Sequence, residues 1–340
     1  MKNSPIILKP LPCYINFNRY FSYTHCDTFI LIGGRGIGKT TGFALKSAKD
    51  FLKDGEQFVY VKRYKTEASK SKDLFSKVMK DVTTAGIKAG AFTYNYKKEV
   101  MGWCIPLTTA SSFKSGCDFS KVTKICFDEA ILKRNGTYRY LQDEVVTFFE
   151  LVSTIVRTRK NYKIFIIGNN ADLFNIYFDY FNVPRFDNIY VDKERRLYCE
   201  LSAINPLLLE KEKETPLYAL TKGTAYGDYH YNNAVLVTDN YRLDVKQAID
   251  KLLIRIVYNK FTLNIYRHNG SELFVELRDK IIKDATTFVI MENNNPNYYY
   301  IGMFRKSDIY KYITYAYYND FISYESNKCA EIFSLFIEEI

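Results

Sequence analysis

Short apolar runs that stop at glycine, proline or charged residues alternate along this chain with longer stretches whose apolar positions recur every three or four residues. Thr28-Phe29-Ile30-Leu31-Ile32 is such a run, and its glycine ending reads as a buried strand. From Lys39 to Lys53 the residues Phe43, Ala44, Leu45, Ala48, Phe51 and Leu52 share one helical face. Gln57 to Val61 predicts a second strand, and Glu67 to Val82 a helix with Leu74, Phe75, Val78 and Met79 on one side. Gly102-Trp103-Cys104-Ile105-Pro106-Leu107 reads as a strand stopped by proline, and Val122 to Phe127 as another buried strand. Asp143 to Arg157 carries Val145, Phe148, Phe149, Val152, Ile155 and Val156 at helical spacing, and Lys163 to Ile167 returns to strand. Strands alternating with helices predict an α/β domain with a mostly parallel sheet covered on both faces.

The pattern changes after about Leu201. Asn205-Pro206 opens a charged, proline-bounded connector, Glu210-Lys211-Glu212-Lys213-Glu214-Thr215-Pro216, suited to a linker or an exposed helix. Strands are expected at Leu252 to Tyr258, Thr262 to Arg267 and Glu272 to Leu277, with Asn269-Gly270 as a hairpin turn. Helices follow at Lys306 to Phe321 and Asn327 to Glu339. The expected organisation is a first domain over 1–200, a linker over 201–222 and a smaller α/β domain over 223–340.

A length of 340 residues suits this two-domain division, and the average apolar content excludes global disorder, collagen and coiled coil. No apolar run approaches the roughly 18–20 residues of a membrane span. The apolar part of the start, Pro5-Ile6-Ile7-Leu8, is short for a signal peptide, which leads to an intracellular expectation. The seven cysteines are scattered with no C-x-x-C pair, and His25, His230 and His268 lie far apart. This pattern argues against a structural zinc site and a disulfide framework, and for reduced thiols. A net charge of +10 favours polyanionic partners, and the 30 tyrosines could stack on bases or pack at subunit contacts.

The sharpest motif is Gly33-Gly34-Arg35-Gly36-Ile37-Gly38-Lys39-Thr40, a match to G-x-x-x-x-G-K-[ST] with a strand before it and a helix after. Glycines let main-chain N–H groups wrap the phosphates of ATP, and the helix N-terminus adds partial positive charge. Lys39 would neutralise phosphate oxygens, Thr40 would ligate Mg²⁺, and Arg35 adds a cation within the loop. Lys124-Ile125-Cys126-Phe127-Asp128-Glu129 is an apolar strand ending in two carboxylates: Asp128 for the Mg²⁺ and Glu129 for the attacking water. Such a pair favours hydrolysis over transfer to a small acceptor.

Three further features are less specific. Asn169, after the strand Ile164 to Ile167, could contact the γ-phosphate or simply make a turn. Arg157 could be an arginine finger for a neighbouring subunit, or a cation placed favourably at a helix C-terminus. Lys62-Arg63-Tyr64-Lys65, with Lys70, Lys72, Lys77 and Lys80 beyond, suits phosphate or DNA-backbone contact, or a solvated face.

These motifs, with Gly55 to Lys65, Gly102 to Leu107, Asn175-Ile176-Tyr177-Phe178, Gly223 to Gly227 and Ile256 to Leu263, resemble the DNA-packaging (encapsidation) ATPases of small protein-primed tailed phages. The likeness spans nearly the whole chain. It implies a P-loop additional-strand, catalytic-glutamate ATPase domain followed by a vestigial ribonuclease-H-like domain. It implies a homomeric, five-fold ring in the host cytoplasm, docked transiently on the portal vertex of a prohead and driving double-stranded DNA inward. A packaging RNA scaffolds the ring in some relatives. By the same resemblance, Lys39, Thr40, Asp128, Glu129 and Asn169 fall on motif positions, Arg157 on a trans-acting finger, and Lys65 and Lys114 on basic residues of the subunit-interface site.

The strand Leu252 to Val257 carries Arg255 and no acid, so a two-metal nuclease site is not expected. The reading is therefore a DNA-translocating motor. Its rivals are a P-loop kinase of a small molecule and a nucleotide-gated nucleic-acid-binding adaptor without turnover. Glu129 argues against both rivals, since neither needs a water-activating carboxylate.

Overall fold

The computed structural model describes residues 14–339 apart from 114–116, 133–137, 170–174, 185, 187, 232–240, 259–260, 269, 271, 279–286 and 290–297. The chain divides into two compact units, 1–237 and 238–340. Residues 223–231, expected from the sequence to open the second domain, cluster with the first unit. Among the described residues no helix is long and apolar enough to cross a membrane.

The first unit runs α1 (Asn18–Phe21), β1 (Thr28–Gly33), α2 (Lys39–Asp54), β2 (Gln57–Lys62), α3 (Lys65–Lys70), β3 (Val82–Gly86), β4 (Phe92–Tyr96) and β5 (Glu99–Pro106). It continues with β6 (Val122–Asp128), α4 (Glu144–Val156), β7 (Lys163–Gly168), α5 (Ile176–Phe181), β8 (Ile189–Asp192) and β9 (Leu197–Ser202). The charged connector forms short helices, α6 (Pro206–Lys213) and α7 (Pro216–Thr221), before α8 (Ala225–Tyr231). Asn205 and Thr215 cap α6 and α7 through side-chain oxygens, and each helix has proline in its first turn.

The strands form one nine-stranded sheet in the order β3-β4-β5-β2-β6-β7-β1-β9-β8. Its centre, from β5 to β9, is parallel, and β3, β4 and β8 add antiparallel edges. Both faces of the central strands are buried, which is why these segments read as continuous apolar runs. Phe29, Leu31, Phe58, Tyr60 and Phe165 pack with Phe43, Ala44 and Phe51 of α2. On the other face, Phe127 meets Phe148 of α4 with ring centroids 5.2 Å apart.

The expected helix over Glu67–Val82 is shorter, ending at Lys70. Beyond it, separate turns such as Leu74 N to Ser71 O and Val78 N to Phe75 O carry the chain. These turns still bury Phe75, Val78 and Met79, and Phe75 stacks on Phe58 at 4.3 Å.

The second unit holds β10 (Lys251–Tyr258), β11 (Phe261–His268), β12 (Glu272–Arg278), β13 (Thr287–Val289), β14 (Tyr298–Tyr300), α9 (Ile301–Arg305), α10 (Asp308–Tyr318), β15 (Ile322–Tyr324) and α11 (Asn327–Glu339). Its sheet order is β14-β13-β10-β11-β12-β15. β10, β11 and β12 pair antiparallel, whereas β13 and β14 run parallel to β10 on its other side. Three antiparallel strands followed by two parallel ones beside the first give a ribonuclease-H-like arrangement, with β15 added at the edge.

His268 is buried on β11, with Nδ1 2.9 and 3.0 Å from the Asp250 oxygens and Nε2 3.2 Å from Asp244 Oδ2. Burial lowers its pKa, but the hydrogen bonds and charges of Asp250 and Asp244 outweigh this and raise it above 6.5. The neighbouring charges are Lys246, over the Tyr266 ring, and Arg242, paired with Glu272. A raised folded-state value gives stability that is fully present below the unfolded pKa and lost as pH rises through the folded one. The stability difference between wild type and His268→Gln, measured by urea unfolding of the full chain, should therefore shrink as pH rises above about 6.5. A difference that grows with pH would reject the ion-paired imidazolium.

Candidate active site

Four parallel strands deliver the expected residues to one edge of the first sheet. Register aligns Ile32 of β1 with Gly168 of β7, Ile167 of β7 with Asp128 of β6, and Phe127 of β6 with Val61 of β2. Gly33, Asn169, Asp128 and Lys62 thus all lie at carboxyl ends of neighbouring strands, where open α/β sheets bind ligands. One strand, β7, is inserted between the glycine-loop strand β1 and the carboxylate strand β6. That insertion defines the additional-strand arrangement.

The loop needs its glycines for stated reasons. Gly36 and Gly38 have φ of +80° and +84°, the left-handed region. A Cβ on Gly33 would lie 2.5 Å from the Ser202 carbonyl oxygen, and one on Gly38 would lie 2.6 Å from the Tyr14 ring. Lys39 opens α2 with its side chain buried, and its Nζ donates to the carbonyls of Gly33 at 2.6 Å and Gly34 at 2.8 Å. Burial pushes this ammonium down to about 8, against the opposing Asp128 carboxylate. Ile37 is buried and Arg35 is exposed.

Asp128 is buried and fully engaged. Its Oδ1 accepts from Thr40 Oγ1 at 3.1 Å and from the Glu129 N–H at 3.0 Å. Its Oδ2 accepts from the Tyr60 hydroxyl and from Lys62 Nζ at 3.0 Å. Lys62 Nζ also reaches Glu129 Oε2 at 2.9 Å. Burial lowers the Lys62 pKa, but Asp128 and Glu129 outweigh this and raise it, so the ammonium stays charged. Glu129 itself is exposed at the side chain and sits at φ +57°.

Among the described residues, Arg63 is the largest of the fully buried side chains. It donates from Nε to Glu144 Oε2 at 2.6 Å and from Nη2 to Glu144 Oε1 at 2.8 Å. It also donates to the carbonyls of Glu129 at 3.2 Å and Ala130 at 2.8 Å. Glu144 further accepts from the Tyr177 hydroxyl at 2.8 Å and from Leu141 N–H at 3.0 Å.

The DNA-contact expectation for Lys62 and Arg63 is corrected by this burial: both are spent inside the site. Sequence reading missed their role because their partners lie far along the chain. The signal available was their position at the end of a buried strand, directly before the phosphate edge. Lys65, Lys70, Lys72, Lys77 and Lys80 are exposed, and the stem of Lys65 lies against Gly90. Asn169 is half-buried just past β7. Arg157 is exposed at the C-cap of α4, two residues before Arg159, which donates to the Val122 carbonyl at the start of β6. Lys114 lies outside the described residues.

The family model of the podovirus DNA encapsidation protein (Gp16) matches residues 11–339. The chain belongs to this family. Among the chain's curated relatives are the DNA packaging proteins of Bacillus phages phi29 and PZA. Each is 29% identical over 257 residues, covering 74% of this chain and 75% of the relative. The fold is shared with the Phi-28 gp11 DNA packaging motor, with a TM-score of 0.65, 16% identity, and coverage of 96% of this chain and 97% of that one. It is also shared with the bacteriophage Phi-29 packaging motor assembly, with a TM-score of 0.60, 23% identity, and coverage of 96% and 100%. Membership in an encapsidation family favours the packaging motor over the small-molecule kinase and the inert adaptor.

Proposed function

We propose that this encapsidation protein hydrolyses ATP to drive double-stranded DNA into a prohead, working as a homomeric ring, five-fold in the assembled motor, on the portal vertex. The observation that carries this reading is the 3.1 Å contact between Thr40 of the glycine loop and Asp128 of the strand end, with Glu129 next in the chain. The Thr40 hydroxyl and the Asp128 carboxylate form an oxygen donor set that suits Mg²⁺. When bound there with the triphosphate, the metal supplies neutralising charge to the phosphate oxygens.

The chain's own groups do the rest. Main-chain amides of Gly34 to Thr40 and the Lys39 ammonium hold the β- and γ-phosphates. Glu129 aligns the attacking water and takes its proton. Asn169, at the end of the inserted strand, contacts the γ-phosphate. Arg157, exposed at the end of α4, reaches the site of the next protomer, where Lys65 and Lys114 add positive charge. The exposed lysines 70, 72, 77 and 80 grip DNA phosphates without reading sequence.

The second unit lacks cutting activity in this reading. Arg255 stands on its first strand, and Glu276 is held by Asn264 Nδ2 at 2.8 Å and Tyr266 OH at 2.9 Å. That unit serves docking or nucleic-acid contact. The protein acts in the host cytoplasm.

Steady-state ATPase of the purified protein with and without duplex DNA tests the motor reading. DNA should stimulate turnover, and turnover indifferent to DNA would reject it. For the trans finger, Lys39→Ala and Arg157→Ala should each abolish activity alone, and their mixture should regain part of it. A mixture as inactive as its components would remove Arg157 from the neighbouring site.

A further inference from the structure

We propose that Arg63 is the positioning residue of the catalytic turn, fixing the main chain of Glu129 and Ala130 so that this peptide keeps its place when the Glu129 carboxylate moves. This rests on the reading of Glu129 as the group that aligns water. Glu129 has φ of +57°, a conformation that an L residue keeps only when its surroundings over-determine it. The surroundings are visible. The Glu129 N–H donates to Asp128 Oδ1, and the Ala130 N–H donates to the Ile167 carbonyl at 3.0 Å. The carbonyls of Glu129 and Ala130 both accept from Arg63.

A guanidinium suits this task because its planar fork serves several acceptors in fixed directions at once. Here it is held between the Phe127 and Tyr140 rings, 5.4 and 5.3 Å from their centroids, and is braced by both oxygens of Glu144. Lys62 and Arg63 are consecutive, yet they engage the turn differently. Lys62 holds the Glu129 carboxylate, and Arg63 holds the peptide behind it. The carboxylate can therefore leave Lys62 and swing toward water while its main chain stays fixed. Glu144 begins α4, and Arg157 caps its far end, so the same pair ties the turn to the helix that carries the proposed finger.

Arg63→Lys keeps the charge opposite Glu144 but cannot donate to two carbonyls and both carboxylate oxygens together. The full-length variant should fold, as read by circular dichroism and thermal melting, and should bind a fluorescent ATP analogue within about threefold of wild type. Its kcat should fall about 100-fold, the scale of a roughly 1 Å misplacement of a catalytic group, with KM little changed. A folded variant with kcat within about threefold of wild type would overturn the proposal. Should Arg63→Lys not fold, Glu144→Asp replaces it: the ion pair survives, but the shorter carboxylate draws the guanidinium from the carbonyls, and kcat should fall at least about tenfold. Unchanged kcat there is equally fatal. Glu129→Gln, measured alongside, separates the two levels. If it keeps wild-type turnover, the water-aligning reading fails and takes the positioning role with it. If it is inactive while the folded Arg63 and Glu144 variants turn over normally, only the positioning role fails.

Discussion

Glu129→Gln should lower kcat for ATP by about 10²–10⁴-fold, the range associated with removing a positioned general base, while nucleotide still binds. The amide keeps the size of the side chain and one acceptor oxygen, so water can still be held near the γ-phosphate. What it cannot do is accept the proton as the new P–O bond forms. Binding should survive because the phosphate cradle, Lys39 on the Gly33 and Gly34 carbonyls, lies on a different strand and helix from the turn. The substitution also removes one of the two carboxylates that share Lys62, leaving the ammonium with Asp128 alone. That change preserves a buried ion pair, so the fold should be little affected. Nucleotide binding with steady-state and single-turnover hydrolysis gives the answer, and a variant within about tenfold of wild-type kcat would remove Glu129 from the chemistry.

Glu144→Ala should cost about 3–5 kcal/mol of stability, because it strands a guanidinium in the interior. Arg63 is only 1% exposed, and solvent cannot stand in for the lost carboxylate. The deletion also leaves the Tyr177 hydroxyl and the Leu141 N–H without their acceptor. At about 2–4 °C per kcal/mol for a unit of this size, the thermal transition should fall by roughly 6–20 °C. Replacing both partners with methionine should recover part of the loss, since buried ion pairs are often exchanged for apolar groups at little cost. A single Glu144→Ala variant melting within about 2 °C of wild type would show that the pair is not desolvated as the structure has it.

The parts of the site legible in the sequence are those whose chemistry is local. A glycine loop followed by Lys39 and Thr40 sits between an apolar strand and an amphipathic helix, and each feature restricts the others. The strand ending in Asp128-Glu129 is readable for the same reason, because both faces of the central sheet are buried. Lys62 and Arg63 were not readable, since a run of basic residues after a strand looks the same whether it faces solvent or distant carboxylates. Helical spacing also misled at Leu74, Phe75, Val78 and Met79, where successive turns meet the same burial requirement as a continuous helix. The β3–β4 hairpin lacked a signal because the residues of β3 after Val82 are exposed and show no apolar alternation. In the second unit, the Asn269-Gly270 pair marked the turn between two of the antiparallel strands, and Gly270 takes φ +83°.

The cross-tie of Arg63, Glu144 and Tyr177 draws one member from each of three separate stretches of chain. A change at Arg63 strands the Glu144 carboxylate, and a change at Glu144 strands both the guanidinium and the Tyr177 hydroxyl. Divergence at these three positions should therefore be correlated, with the trio exchanged together or kept together across lineages. That footprint would be readable in a family alignment without any structure.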